Sequence, residues 1–235
     1  MKKSVGVTPY GSQKNVNQWS KSRKLTNHLY PLEKKFFLKI LNRSSSFLDL
    51  GCATGNFVKI IKTRTKIKFY FGVDTSKNMI DRAKLLYPKY DFIKYDGKKI
   101  DIRKKFDLSF CFGTLQYCNN YQSLITQMFN FSKKFVNFDL RLTFDPQIIN
   151  KQRSYQIIPN SKNKKLPYNI INIHNFIKFL LKLTNSNYSL KLYGYKQRPA
   201  KTVKTIYKDV FMTSILIDKT KNFELKIDLN EKLKK

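Results

Sequence analysis

Residues 47 to 56 read FLDLGCATGN, and this stretch decides how the rest of the chain is interpreted. Its first four residues form a short, mostly apolar run that is typical of a buried strand. Gly51 and Gly55 follow, and they remove side chains where a strand turns sharply into a helix, so that a ligand can approach the exposed backbone amides. Asp49 adds negative charge just before the turn and favours a cationic or amine-bearing ligand. A tight turn that binds nothing is the structural alternative.

The same stretch is compared with the fingerprint G-x-G-x-x-G of dinucleotide-binding proteins. Counting from Gly51, the third position holds Ala53 and the sixth holds Asn56. Two of the three glycines are therefore missing, and a dinucleotide site is not favoured.

Outward from this turn, apolar strands alternate with apolar-periodic helices. Such alternation is typical of a parallel sheet with right-handed crossovers. It predicts an α/β fold with strands near 47–50, 67–74, 90–96, 106–112 and 134–142, and helices near 31–42, 56–62, 76–87 and 121–130.

The remaining segments define the predicted domain boundaries. Each of these segments has a distinct composition. Residues 1–30 are a polar lead-in or a lid, and the main domain covers 31–218. Within it, 145–169 hold three prolines and a polar run, which predicts a loop insertion over the active-site edge. A helix at 172–183 and strands at 189–195 and 209–218 follow, and 219–235 are expected to be a charged, solvated tail.

Four consecutive motifs carry a family resemblance. DLGCATGN, GVDTSKNMI, KYDG and FDLSFCFGTLQY occur in that order between residues 49 and 117, and the resemblance covers residues 47–112. This segment resembles the nucleotide half of class I S-adenosylmethionine-dependent methyltransferases. The resemblance implies a Rossmann-like open sheet of about seven strands, in the order 3-2-1-4-5-7-6, with the last strand antiparallel and helices on both faces. It also implies S-adenosyl-L-methionine as the cofactor.

The resemblance assigns cofactor roles that the residue chemistry permits. Asp74 ends the second strand, where a carboxylate can accept hydrogen bonds from both ribose hydroxyls; capping the next helix is its alternative role. Asp96 can accept from the adenine amino group beside Gly97, or form an ordinary Asp-Gly turn. Phe112 and Gly113 would lie under the methionine arm, although Phe112 has an equally good packing role. The full predicted cofactor set is Asp49, Gly51, Cys52, Ala53, Gly55, Asp74, Thr75, Met79, Asp96, Gly97, Phe112 and Gly113.

Methyl transfer from a sulfonium is an in-line displacement, which mainly requires that nucleophile and methyl group be aligned in a water-poor pocket. Gln116 and Tyr117 follow the fourth strand and are candidates for substrate contact. Tyr117 is a poor base at neutral pH, so it is expected to position the substrate. His174 is a candidate proton acceptor at the start of a helix, with a surface or capping role as its alternative. Arg141 is a candidate for holding an acidic substrate group, or for a strand-end ion pair with Asp139.

The charge of the chain leaves the substrate class open. There are 47 Lys and Arg against 15 Asp and Glu, a net charge of +32. Such a surface attracts nucleic acid, but Lys outnumbers Arg 39 to 8 and is spread over the whole chain, which indicates A- and T-rich codon usage instead. We expect a small-molecule methyl acceptor, such as a sugar, a sugar nucleotide or another metabolite. An RNA methyltransferase and a non-catalytic cofactor-binding relative are the alternatives.

The cysteine and hydropathy patterns bear on the compartment. Cys52, Cys111 and Cys118 form no metal-type pair and too sparse a set for a disulfide framework. No apolar run approaches the ~20 residues that a membrane span needs. A cytoplasmic protein without a metal site is therefore expected.

Overall fold

A computed structural model describes residues 10–22, 25–159, 161 and 163–233. Its helices are α1 (Gln13–Lys21), α2 (Pro31–Leu41), α3 (Phe57–Lys62), α4 (Lys77–Leu86), α5 (Tyr121–Phe131) and α6 (Ile173–Thr184). Its strands are β1 (Ser46–Leu50), β2 (Phe69–Asp74), β3 (Asp91–Lys94), β4 (Phe106–Cys111), β5 (Ser132–Thr143), β6 (Tyr155–Ile157), β7 (Lys165–Pro167), β8 (Ile171–Asn172), β9 (Ser189–Gln197), β10 (Val203–Lys204), β11 (Val210–Asp218) and β12 (Glu224–Asn230). None of the helices in these ranges has the length and apolar character to cross a membrane.

One sheet organises the molecule, with the strand order β12-β9-β11-β5-β4-β1-β2-β3 and with β8 pairing at the end of β5. Strands β1 to β5 run parallel to one another. Strand β11 runs antiparallel to both of its neighbours, β5 and β9. The predicted order 3-2-1-4-5-7-6, with an antiparallel last strand, is confirmed.

The C-terminal segment corrects one expectation. Residues from Lys219 onward were expected to form a solvated tail, but β12 pairs in parallel with β9 and extends the sheet by one strand. Leu229 packs against the core, and its Cδ2 lies 2.8 Å from the position that a Cβ on Gly194 would occupy. The alternation of Leu225, Ile227 and Leu229 with polar residues is the strand pattern that the charge of this segment obscures.

Two apolar layers cover the sheet, one on each face. On one face, α5 and α6 bury residues such as Leu124, Met128 and Phe176 against the sheet. On the other face, α2, α3 and α4 bury residues such as Phe37 and Ile60. Helices on both faces leave the carboxyl ends of the parallel strands as the open edge, which is where such sheets bind ligands.

The insertion after β5 is more ordered than expected. Residues 145–169 were predicted to be a loop, but β6 and β7 form a hairpin there, and β10 pairs with β6 to complete a separate three-stranded sheet. These short strands were not predicted, because they lie among turn residues and prolines. A strand of three residues also has too little periodicity to be recognised in a sequence.

Candidate cofactor and substrate cavity

A cavity of about 760 Å³ lies at the carboxyl edge of the parallel strands. This volume falls within the roughly 300–1,000 Å³ that is typical of small-molecule sites. The ends of β1, β2, β4 and β5 contribute Gly51, Asp74, Gly113 and Arg141 to its lining. The cavity therefore occupies the edge where the sequence predicts the ligand site.

The glycine turn after β1 is fastened to the end of β2. The backbone amide of Gly51 donates to the carbonyl oxygen of Val73 at 2.8 Å. The amide of Ala53 donates to Asp74 Oδ2 at 3.0 Å, and the amide of Ser76 donates to Asp74 Oδ1 at 2.8 Å. A carboxylate has about four acceptor positions, so Asp74 can accept further hydrogen bonds from a ligand.

Burial controls the ionisation of Asp74. Its pKa is raised because desolvation penalises the charged form, although the amides of Ser76, Ala53 and Thr75 act in the opposite direction. A carboxylate that burial destabilises gains from any additional donor, which a bound hydroxyl group would supply.

Two buried polar atoms in the cavity wall have no hydrogen-bond partner among the described residues. They are Thr54 Oγ1, in the glycine turn, and Gln116 Oε1, after β4. Thr54 is 1% exposed and Gln116 is 2% exposed. Buried polar groups are rarely left unsatisfied, so both atoms indicate that a ligand with polar groups completes the site.

Of the residues predicted to bind cofactor, the structure brings nine together in the cavity lining and leaves three outside it. The nine are Gly51, Cys52, Ala53, Asp74, Thr75, Met79, Gly97, Phe112 and Gly113. The three others are Asp49, Gly55 and Asp96, and each has a structural partner instead.

Asp49 is 1% exposed, beneath the cavity floor, and accepts a hydrogen bond from the hydroxyl of Tyr70. Gly55 makes room for a neighbouring side chain, because a Cβ there would lie 2.8 Å from the ring of Phe92. Asp96 is exposed and accepts from the amides of Lys98 at 2.7 Å and Lys99 at 2.9 Å, and these bonds lower its pKa. The Asp-Gly turn that was the alternative for Asp96 is thus present.

The predicted substrate residues Gln116, Tyr117 and Arg141 all line the cavity. Asp139 connects them to the cofactor half of the site, since its Oδ1 accepts from the amide of Gly113 at 2.7 Å and its Oδ2 pairs with Arg141 Nη1 at 2.8 Å. Burial acts to lower the pKa of Arg141, but Tyr168 and Asp139 outweigh it and raise the pKa, so the side chain is a permanent cation.

Aromatic hydroxyls surround this half of the cavity. The ring of Tyr117 lies 6.3 Å from that of Tyr10 and 6.4 Å from that of Tyr168, between ring centroids. The hydroxyl of Tyr117 donates to Gln156 Oε1. Burial raises the pKa of Tyr117, so this side chain is neutral and suited to positioning a substrate.

His174 lies outside the cavity, and the candidate role as proton acceptor is corrected accordingly. The side chain is exposed at the start of α6 and contacts the ring of Phe144, with 5.8 Å between ring centroids. The cap of this helix is Asn172, whose Oδ1 accepts from the amide of His174 at 3.0 Å. In the first turn of α6, Ile173 and Phe176 are buried against the sheet, whereas His174 and Asn175 are exposed.

We expect His174→Ala to change the rate of methyl transfer by less than about twofold, because the side chain is exposed and outside the cavity, and substitutions at such surface positions are usually nearly neutral. The measurement is a turnover assay with labelled cofactor, alongside a melting curve. A loss of turnover with an unchanged melting temperature would contradict this prediction and would indicate that His174 takes part in the reaction.

The N-terminal segment reaches the cavity, to whose lining Tyr10, Trp19 and Ser22 contribute. Asn56 Nδ2, just after the glycine turn, donates to the carbonyl oxygens of Trp19 and, at 2.6 Å, of Ser22. Asn78 Nδ2, in α4, donates to the carbonyl oxygen of Gly11 at 2.6 Å. Residues 1–9, 23 and 24 of the predicted lead-in lie outside the described residues.

Several lining residues were not predicted from the sequence. They are Asn56 in the glycine turn, Thr114 after β4, Gln156 and Tyr168 in the insertion, and Tyr195 and Met212 in the antiparallel strands. Asn56 and Thr114 are inside or next to recognised motifs, so their positions offered a signal. The others belong to segments outside the motifs and carry none.

Comparison with known proteins identifies the central segment. The sequence profile of the family described as "Methyltransferase domain" matches residues 47–134. This segment is a methyltransferase domain. The sequence-based resemblance to class I methyltransferases is confirmed.

Two curated relatives and one solved structure are similar to the chain. Protein 235L of Invertebrate iridescent virus 6 is 31% identical over 121 residues, which is 51% of this chain and 44% of the viral protein. A protein named trans-aconitate 2-methyltransferase, from Enterobacter sp. (strain 638), is 28% identical over 93 residues, which is 40% of this chain and 37% of that protein. The chain thus spans less than half the length of these relatives.

The solved structure is an S-adenosylmethionine-dependent methyltransferase from Clostridium acetobutylicum. It superposes with a TM-score of 0.55 at 16% identity, covering 80% of this chain and 90% of that one. A likeness at this identity establishes the fold, and the class I methyltransferase fold extends well beyond the matched domain.

Proposed function

We propose that the chain is an S-adenosylmethionine-dependent methyltransferase that acts on a small molecule. The observation that carries this proposal is the fastening of the glycine turn to Asp74, at the carboxyl edge of a methyltransferase domain. A half-buried carboxylate at this edge, beside the glycine turn, suits a ribose whose two hydroxyls donate hydrogen bonds.

The described residues fit the cofactor. Asp74 would accept from the ribose hydroxyls, and Met79 and Gly97 would flank the adenine. Gly51 would leave space for the chain that carries the sulfonium, and Thr54 Oγ1 would gain the partner that it lacks. When bound, S-adenosylmethionine supplies an electrophilic methyl group. The protein then has to align the acceptor and exclude water.

The N-terminal segment contributes to that exclusion of water. We propose that residues 10–22 act as a cover over the cavity, because Tyr10 and Trp19 line it and their ring centroids are 6.2 Å apart. The hydrogen bonds from Asn56 and Asn78 hold the cover against the nucleotide half of the site.

A small acceptor is favoured over RNA by the charge of the cavity wall. Of the 47 basic residues of the chain, Arg141 and Arg198 are the two among the described cavity-lining residues, and no lysine is in that lining. Three carboxylates, those of Glu33, Asp74 and Asp139, face the same cavity. A polyanion needs a continuous basic path, which this lining does not provide. The Enterobacter relative is also named for a small acid.

The compartment follows as a further part of the proposal. Cys52, Cys111 and Cys118 are all free thiols. Burial raises the pKa of Cys118 in the cavity to about 11, so it is neutral and poorly reactive. Three free cysteines are suited to a reducing cytoplasm.

Cofactor binding is the first test. We expect S-adenosylmethionine and its demethylated product, S-adenosylhomocysteine, to raise the melting temperature of the full chain and to bind in calorimetry with Kd values in the micromolar range, on the order of −8 kcal/mol. Adenosine triphosphate at the same concentration serves as the control ligand, since its triphosphate would replace the methionine arm and add negative charge to a cavity lined by three carboxylates. Failure of both adenosyl ligands to bind would reject the proposal.

Methyl transfer is the second test, and it separates an enzyme from a non-catalytic relative. The chain is incubated with a cell extract and methyl-labelled cofactor, and small molecules and RNA are then analysed separately by mass spectrometry. We expect the label in the small-molecule fraction. Label in RNA would favour the polyanionic substrate, and binding without label in either fraction would favour the non-catalytic alternative.

A further inference from the structure

We propose that the methyl acceptor is a small organic acid and that its carboxylate pairs with Arg141. This inference rests on the proposed function, because it assigns the substrate class of the same cavity. The feature behind it is a buried cation whose hydrogen-bonding capacity is only partly used.

The guanidinium of Arg141 is held in place from one side. Nε donates to the hydroxyl of Tyr168 at 3.1 Å, and Nη1 donates to Asp139 Oδ2 at 2.8 Å and to the carbonyl oxygen of Leu140 at 3.2 Å. Among the residues that the structure describes, no acceptor bonds to Nη2. Since a guanidinium offers five N–H donors in a fixed plane, two of them stay free beside the cavity.

Asp139 compensates the positive charge of Arg141 only in part. Its carboxylate is shared, because Oδ1 accepts from the amide of Gly113 while Oδ2 pairs with Arg141. Arg141 is 8% exposed, and a buried cation needs charged or polar partners around it. A ligand carboxylate on the Nη2 side would complete a charge-assisted pair of the kind that arginine forms with planar acids.

A second unpartnered group faces the same ligand. Gln116 Oε1 is buried in the cavity wall without a donor among the described residues. A methyl acceptor that carries a hydroxyl or amino group in addition to its carboxylate would also donate a hydrogen bond to Gln116 Oε1. Arg141 and Gln116 thus define two complementary contacts, one for an anion and one for a donor.

The charges of the cavity lining favour an anion that carries a single negative charge. Arg141 and the exposed Arg198 are the cations among the described lining residues, whereas Glu33, Asp74 and Asp139 are carboxylates. A phosphate dianion would meet more repulsion than attraction here. A carboxylate with a single charge matches one guanidinium, and it can accept from the hydrogens that Nη2 leaves free.

The test uses the full chain saturated with S-adenosylhomocysteine. The probes are acetate, succinate, benzoate and mandelate, each compared with its primary amide, and binding is measured by calorimetry and melting temperature. We expect at least one acid to bind about tenfold or more tightly than its amide, because the amide lacks the charge. We expect Arg141→Gln to remove that preference.

Controls separate binding from folding. Arg141→Lys keeps the charge but loses the fork, so it should retain part of the preference. Arg64→Gln removes an exposed arginine outside the cavity and should bind the acids as the unmodified chain does. Melting curves and S-adenosylhomocysteine affinity of each variant report whether the fold and the cofactor half are intact.

The outcomes distinguish this inference from the proposed function. If S-adenosylhomocysteine itself does not bind, the proposed function fails. If it binds, but acids bind no better than amides, or Arg141→Gln keeps the preference for acids, the inference is overturned while the proposed function stands. A preference that is lost in Arg141→Gln and kept in Arg64→Gln supports the inference.

Discussion

Replacing Gly51 by alanine is expected to lower the free energy of unfolding by about 2–5 kcal/mol. The backbone of Gly51 has φ +78°, where an L side chain is strained by about 1–2 kcal/mol. In addition, a Cβ at this position would lie 2.2 Å from Thr114 Oγ1 and 2.9 Å from Thr114 Cβ, so the wall of the cavity would have to move. Overpacking of that kind costs about 1–3 kcal/mol more. Chemical denaturation followed by circular dichroism measures the loss.

Gly97→Ala is the matched control for this substitution. Gly97 has φ +83°, which imposes the same kind of backbone strain, but its nearest neighbour would be Thr75 Cγ2 at 3.4 Å, an ordinary contact. We therefore expect only the strain contribution of about 1–2 kcal/mol there. The double variant Gly51→Ala/Thr114→Ala should recover part of the loss, because it removes the clashing hydroxyl. Equal losses for both glycines, or no recovery, would show that close approach of Thr114 is not the reason for a glycine at position 51.

The part of the molecule that the sequence predicts well is the parallel half. The strands β1, β4 and β5 are buried along most of their length, and the parallel strands are interspersed with apolar-periodic helices, so their pattern is strong. The cap of α4 illustrates this local consistency: the sequence allows Thr75 or Ser76 to cap the helix, and Ser76 accepts from the amide of Met79 through its side chain. The turn with Gly51 and the strand end at Asp74 are linked by chain order and the strand spacing, and both line the cavity.

On the substrate side of the cavity, Gln116, Tyr117 and Arg141 were predicted, but other lining residues escaped prediction for a physical reason. Tyr168 comes from the insertion, Tyr195 from β9 and Met212 from β11, and each is brought to Arg141 by long-range pairing and not by a local pattern. A tyrosine in a short or edge strand has the same sequence signature whether it packs in a core or lines a ligand site, so only the folded arrangement distinguishes the two.

Replacing Asp74 by asparagine is expected to weaken binding of S-adenosylhomocysteine by about 1–3 kcal/mol, which is about 5- to 150-fold in Kd. Asparagine has the same shape but offers one neutral oxygen where the carboxylate has two charged ones. It can keep only part of the bonds to the amides of Ala53 and Ser76, so a melting curve is needed to separate a folding defect from lost affinity. Calorimetry on folded protein gives the affinity.

Asp96→Asn is the control for the loss of a strand-end carboxylate. Asp96 is exposed and outside the cavity lining, and its side chain serves the local turn at Lys98 and Lys99. Affinity should therefore change by less than about twofold in Asp96→Asn, as for most surface substitutions. A loss of affinity equal to that of Asp74→Asn would mean that the adenine lies against Asp96 after all.

The pH dependence of the same affinity tests the ionisation of Asp74. Burial raises its pKa above the ordinary value of 3.8 in the free protein, so the carboxyl is protonated at a higher pH than a solvated one. Ribose hydroxyls donate to the ionised form, and binding should therefore lower the pKa and release a proton. Affinity is expected to fall as the pH falls through the raised pKa, and to level off above it. For folding the sign is opposite, since a raised pKa gives its largest stabilisation below 3.8 and loses it as the pH rises through the folded-state pKa. The affinity slope should vanish in Asp74→Asn, and a slope that persists in this variant would assign the titration to another group.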